Sequence, residues 1–514
     1  MNRRHRTTAR GLAAAPAPMR RPGAVGAAVA ATPLADVVRP APVPLKRAQS
    51  HKGLAPHADP MRENADLFAY EQRVKQAFDH IVPTLKKISA LQHEADFEQQ
   101  AQRVAHQELG FTLPEEILAT AWVEQLDMKK LFAWCTFETY RRYCEDFFAQ
   151  DPLDQDEAGF NEFLQSCGFH TLDVSPCADG RLAHVIRYVL RLPYRAVRRK
   201  SYAGALFDIE DSLSKWIETE MTRYREGVPN LADAPTRYLK TVVYHYSSQD
   251  PHHEGCAAHG SDDAKAAQAG LDHLVGFQEA VENGFCCGAS IDLMLIGLDT
   301  DTDAIRIHMI DAQGEIDLAQ SVDARVLLHE LGASARSEAA VLAHLEQAIP
   351  DAADGMRRLM ARLFVNNFAQ IEYVRQNHGG NYPDVGHAER FIGAGIGFEE
   401  VQLRNLTYFA YLQTVEEAAA DLDVGIKIFT GLNVRRGLPI PIVIRFDYHG
   451  EIPGARERAI EHCARIQDAL HRRYPDLVAK GLLHTLQATR DCTSGGQIEL
   501  HACSVRESLV QGGH

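Results

Sequence analysis

The sequence predicts an α/β protein: a helical N-terminal domain, a mixed strand-and-helix domain, and a second, diverged copy of that mixed domain. Three observations predict it. Between residues 62 and 150 apolar side chains recur at three- and four-residue spacing. From about residue 151 β-rich runs alternate with helical ones, the layout of an α/β domain. That order then recurs at a separation of about 200 residues, a weak internal duplication. With 514 residues, 45% hydrophobic and 24% charged, the chain has room for about three domains.

The elements follow in order. Residues 1–60 form an Ala/Pro-rich arm with ten Lys/Arg against Asp36 and Asp59, a net +8. With almost no aromatics it buries too little apolar area to offset its ordering entropy, and reads as disordered. Arg20-Arg21 precedes an Ala run too short and weakly apolar for an export signal. The helical domain, 61–150, is carried by LFAYEQRVKQAFDHIVPTLKKI and ILATAWVEQLDMKKLFAWCTF; Pro114 with Glu115-Glu116 marks a helix start. In the next domain, 151–395, LDVSPCADGRL is a short strand running into a turn, and RYLKTVVYHYSS is a second strand. A helix, DDAKAAQAGLDHLVGFQEAVEN, and two strands, SIDLMLIGLD and DAIRIHMID, complete it. In the last domain, 396–514, LPIPIVIRFDY, the helical ARERAIEHCARIQDALHRRY and the strands LLHTLQATR and QIELHAC repeat the order.

Charge and cysteine usage narrow the class. The whole chain carries −15, hence −23 outside the arm, which argues against a general nucleic-acid binder. A basic arm on an acidic body suits docking onto an acidic partner. No run approaches the ~18 apolar residues of a membrane helix. Ten scattered cysteines, with Cys286-Cys287 adjacent, are no disulfide framework and point to a reducing, cytosolic compartment.

The chemistry concentrates in two turns. Cys177, Asp179 and Arg181 form Cys-x-Asp-x-Arg, and YHYSSQDPHHEGCAAHG offers His245, His252, His253, Cys256 and His259. Thiolate and imidazole are the donors zinc prefers, and a Cys₂His set leaves a fourth tetrahedral position for water. Zinc lowers the pKa of that water to about 7. A carboxylate two residues from a ligand cysteine can accept a hydrogen bond from the resulting hydroxide, and an arginine two further on can hold it ionised by a bidentate pair. Taken singly, each feature has a bland reading: a buried cysteine, an Asp-Gly-Arg turn, a solvated His-rich loop. Their pairing is much harder to ascribe to accident.

These turns resemble the site of β-type carbonic anhydrases. More narrowly, SPCADGRL, FDIEDSL, RYREGVPN, PTRYLK, GCAAHGS, CCGASID, DTDTDAIR, GHAER and DVGIKIFTGLN resemble the carbonic anhydrases of α-carboxysomes, over about residues 60–514. The resemblance implies one Zn²⁺ per chain, with Cys177, His245 and Cys256 as ligands. His253 is the alternative, from the His-x-x-Cys spacing of ordinary β-type enzymes; the β-rich TVVYHYSS favours His245, on a rigid strand. It also implies attack of zinc-bound hydroxide on CO2, with Asp179 orienting the hydroxide and Arg181 fixing Asp179. His387, in VGHAER, is the candidate proton relay. Further implications are a homodimer, a C-terminal copy without its metal site, and residence in the carboxysome, where bicarbonate becomes CO2 for Rubisco. The arm would then dock on Rubisco or shell proteins.

Two other readings stand beside it. A zinc deaminase would need His-x-Glu and Pro-Cys-x-x-Cys, which Pro176-Cys177 does not complete. A non-catalytic carboxysome scaffold with structural zinc would need a fourth protein ligand, such as Asp179. Decoys fall away on spacing. His329-Glu330-Leu331-Gly332-Ala333 has Ala333 where a zincin needs its second histidine. FIGAGIGF (391–398) lacks the third fingerprint glycine and reads as a turn. DTDTD (299–303) reads as a hairpin turn, and Cys286-Cys287 as packing.

Overall fold

The computed structural model describes residues 60–150 and 156–505, apart from 194–195, 229, 232–234, 286–289, 312, 333–335, 401, 413–418 and 496. The basic arm and Cys286-Cys287 lie outside these. Among the described residues no helix is long and apolar enough to cross a membrane, and the described cysteines are free thiols.

The first stretch is helical, as its periodicity predicts: α1 (Pro60–Asp79), α2 (Ile81–Ala90), α3 (Phe97–Glu108), α4 (Glu115–Thr120) and α5 (Met128–Gln150). Leu67, Tyr70, Val74 and Phe78 recur along α1 at helical spacing and are buried. The partner for this apolar face comes from far along the chain. Phe78 and Tyr140 sit against Phe391, in a core shared with Phe398, Phe409 and Val443.

After α6 (Glu157–Ser166), capped by the Asp156 carboxylate on the Gly159 amide, the first sheet begins. Its strands are β1 (Thr171–Pro176), β2 (Arg198–Arg199), β3 (Arg237–Tyr246), β4 (Ser290–Asp299), β5 (Ile305–Ile310) and β6 (Ile316–Asp323), in spatial order β2-β1-β3-β4-β5-β6. β1, β2, β3 and β4 run parallel; β5 and β6 are antiparallel additions. Parallel neighbours demand helical crossovers, supplied by α7 (Ile209–Arg225) before β3 and α8 (Asp263–Phe285) before β4. β3 lies at the centre, buried along nearly its whole length, which is why Leu239, Val242, Val243 and Tyr244 fall on both of its faces; Lys240 and Thr241 between them are buried as well. The Asp299–Asp303 segment is the turn of the β4–β5 hairpin, as expected. Helices α9 (Ala324–Leu331), α10 (Glu338–Ala348) and α11 (Asp354–His378) follow; His329 stands in the last turn of α9.

The second sheet holds β7 (Phe391–Ile396), β8 (Thr407–Tyr411), β9 (Ile440–Tyr448), β10 (Leu483–Asp491) and β11 (Glu499–Cys503), in order β11-β10-β9-β7-β8. Helices α12 (Ala419–Leu432), α13 (Ala455–Arg473) and α14 (Pro475–Ala479) accompany it. Strand for strand this repeats the first sheet: β8, β7, β9 and β10 are parallel, and β11 pairs antiparallel to β10 as β5 does to β4. The duplication visible as a repeated order is thus a repeated topology, without a counterpart of β6 among the described residues.

One reading is corrected. FIGAGIGF is not a turn: Phe391–Ile396 is the buried strand β7, between β8 and β9. Its glycines hid it, because Gly depresses strand propensity. They are there for close approach: a Cβ on Gly395, at φ 136°, would lie 2.0 Å from the Arg445 carbonyl oxygen of β9. The second sheet therefore starts before the expected boundary at 395/396, which cuts through β7.

Candidate metal centre

Two neighbouring strands bring the donors together. Cys177 follows β1 directly, and its amide continues the ladder to the Val243 carbonyl of β3 at 3.1 Å. His245 lies near the end of β3, wholly buried. Cys256 opens the short helical turn Ala257–His259 and is buried too. The sulfurs of Cys177 and Cys256 are 4.0 Å apart, and ligand atoms of Cys177, His245 and Cys256 all lie within 4.8 Å of one another. His253 stays out of this group: its side chain is 79% exposed and bonds Asp250 at 2.8 Å.

The Asp179–Arg181 pair closes over the donors. Arg181 Nε and Nη2 donate to the two carboxylate oxygens of Asp179 at 3.0 and 2.7 Å, and the Arg181 amide donates to Oδ1 at 2.9 Å. The rest of the guanidinium is held by the carbonyls of Glu254, Gly255 and Val385. Asp179 Oδ2 lies 3.2 Å from His245 Nε2. Burial pushes the Asp179 carboxyl up, but Arg181, His387 and His245 outweigh it and hold it well below the usual carboxylate range. His245 Nδ1 has no hydrogen-bond partner among the described residues.

His387 lies beside the pair, its side chain 19% exposed, with Nε2 3.8 Å from Asp179 Oδ2 and Nδ1 3.0 Å from Glu389 Oε1. Burial lowers its pKa, but the carboxylates of Glu389 and Asp179 carry it up to about 9. The contact between the two sulfurs pushes the Cys177 thiol up and the Cys256 thiol down.

The site opens on a small apolar pocket. Ala203, Gly204, Ala257 and Ala258 line it from the first mixed domain; Tyr408, Val424 and Ile428 line it from the second sheet and α12. A larger cleft, 560 Å³, lies elsewhere, between α6 and α7, and holds none of these residues. Sequence reasoning did not reach Glu389, Tyr408, Val424 or Ile428. Glu389 stands two residues from His387 in the noted VGHAER, and Val424 and Ile428 lie in the quoted DVGIKIFTGLN; Tyr408 carried no signal.

The donor set suits zinc. Two cysteine sulfurs and an imidazole are borderline-soft ligands, and three protein ligands leave one tetrahedral position free. Their placement also fits, since ligand atoms of all three lie within 4.8 Å of one another in a buried site.

Comparison with known proteins gives a consistent picture. The family described as Carboxysome Shell Carbonic Anhydrase matches in three parts: its N-terminal domain over residues 56–148, its catalytic domain over 159–387 and its C-terminal domain over 388–505. The chain is 57% identical to the carboxysome shell carbonic anhydrase of Prochlorococcus marinus (strain MIT 9313), over 83% of this chain and 85% of that one. It is 58% identical to that of Parasynechococcus marenigrum (strain WH8102), over 83% and 75%. With that of Halothiobacillus neapolitanus (strain ATCC 23641 / c2) identity is 46%, over 85% and 88%.

Proposed function

The chain belongs to the carboxysome shell carbonic anhydrase family, and from that premise we propose that it interconverts bicarbonate and CO2 at a zinc ion held by Cys177, His245 and Cys256. Membership carries carbonic anhydrase activity and a place in the carboxysome. The observation that carries the site is the buried Cys₂His donor set beside a bidentate Asp179–Arg181 pair.

A zinc ion in such a set supplies a Lewis acid that makes water nucleophilic near neutral pH. The chain's own residues do the rest. Asp179, kept ionised by Arg181, can only accept, so it selects a protonated oxygen and fixes its orientation. Arg181, bound at five places, keeps that carboxylate from swinging onto the ion. Tyr408, Val424 and Ile428 give a small apolar gas a wall to lie against. His387 reaches solvent beside the pair and is the proton-handling group in this reading.

The chain divides into the arm 1–60, the helical domain 61–150, a catalytic domain from 151 to the loop before β7, and a C-terminal unit from there. It acts as a homodimer, delivering CO2 to Rubisco, with the arm docking on Rubisco or on shell proteins. The basic arm on an acidic body supports that docking.

Stopped-flow CO2 hydration, with zinc measured on the same sample, tests the core of this reading. The chain should hydrate CO2 rapidly with about one zinc per chain, and Cys177→Ala should lose both. Bound zinc without hydration would favour the scaffold, with Asp179 as fourth ligand.

A further inference from the structure

The C-terminal unit is more than a copy without donors, because it reaches the turn that carries Asp179 and Arg181. Glu389 stands just before β7, in the part of the chain that matches the family's C-terminal domain, while Gly180 lies in the part that matches its catalytic domain. The Gly180 amide donates to Glu389 Oε1 at 3.1 Å, and the same oxygen lies 3.0 Å from His387 Nδ1. A Cβ on Gly180 would lie 2.4 Å from Glu389 Cγ, so the carboxylate side chain sits directly on the turn. The other side of the same residue is held as well. Asn405, in the left-handed region at φ 55°, donates its amide to the Gly180 carbonyl at 2.8 Å, and its carboxamide is fixed by Asp384 and Gly386.

A side chain of this kind is not filler. The Glu389 side chain has no solvent exposure, and a carboxylate there is costly unless its bonds are made. Its second oxygen has no hydrogen-bond partner among the described residues. Gly180 is the pivot between Asp179 and Arg181, so a donor–acceptor bond there fixes the angle at which the pair meets the metal donors.

We propose that Glu389 is a positioning residue: it anchors the Gly180 amide and so sets the geometry of the Asp179–Arg181 pair from the C-terminal unit. This rests on the reading that the pair serves CO2 hydration.

The test uses the full chain with Glu389→Gln, Glu389→Ala and Glu389→Asp, reading zinc content, thermal midpoint, CO2 hydration and hydrogen exchange across residues 178–183. Gln keeps the acceptor at the same reach, whereas Asp keeps the charge but falls a methylene short. Ala and Asp should lower kcat/KM about tenfold to a hundredfold with zinc retained, as lost supporting bonds around metal ligands do. Their Gly180 amide should exchange faster, and Gln should restore both. Activity within about twofold in Ala and Asp, or unchanged exchange at Gly180, would overturn the proposal. So would loss of zinc and of thermal midpoint in step with activity in every variant. Should Ala fail to fold, Gln against Asp decides: equal activity and exchange refute the role. Hydration by the unaltered chain tests the reading of the site and exchange tests the anchor, so the two fail separately.

Discussion

At the scale of single residues, the two histidines of the second turn separate cleanly. His245 is buried on a central strand among the sulfurs, whereas His253 is largely exposed and tied to Asp250. His245→Ala is expected to abolish metal binding. His253→Ala should leave metal content and hydration unchanged, because an exposed pair of that kind is worth about 0–1 kcal/mol. Metal analysis beside stopped-flow hydration checks both variants. That Cys177, Asp179 and Arg181 belong with the later His/Cys segment was legible because each segment's residue types share one chemistry; the choice of His245 over His253 came from the family resemblance and from the rigid strand that carries it. Glu389 was not, because its partner Gly180 stands 209 positions away and neither residue is distinctive alone.

At the scale of elements, β7 shows where the text misleads. Periodicity and propensity report what a strand does to its solvent and core faces; they are blind to a strand made of small residues because its neighbours press close. The start of α12 gives a second case, with a pH signature. Asp421 is buried near the helix start and accepts the Ala203 amide at 2.7 Å, next to Gly204 of the site pocket. Burial pushes its pKa from 3.8 to about 6, against the hydrogen bond from Ala203. The folded chain therefore binds this proton more tightly than the unfolded one. Stability is undiminished below about pH 4, falls as pH rises through the window between the two values, and is lower by about 2–3 kcal/mol above it. Asp421→Asn keeps the acceptor and removes the charge. Its thermal midpoint should exceed that of the parent at pH 8, and the gain should shrink towards zero as the pH falls to 4. A pH series of melting curves on both proteins checks this.

At the scale of the whole molecule, the helical region, the first sheet and the repeated order were legible, because long amphipathic helices and β-rich runs carry strong periodic signals. How the parts lie together was not, since the contacts join segments hundreds of residues apart. The tie between the helical region and the second sheet is one such contact. Arg445 of β9, fully buried, bridges the carboxylates of Glu400 and Asp447 and donates to Tyr140 of α5 at 2.8 Å. Arg445→Met should leave the Glu400 carboxylate buried without its counter-charge, and Asp447 with Arg490 alone at 3.9 Å, and cost about 3–5 kcal/mol. Urea denaturation should show an earlier midpoint reported alike by probes in α5 and in the second sheet.

The pocket beside the donors has walls from both mixed domains, yet both are one polypeptide. Had they been separate subunits, the half with the donors would meet its other wall only by association, and dilution would take the site apart by mass action. On a single chain the effective concentration of one wall at the other is fixed by the chain itself. The centre stays whole however sparse the molecule becomes. That suits a protein confined within a compartment, since the second wall of its pocket travels with the first.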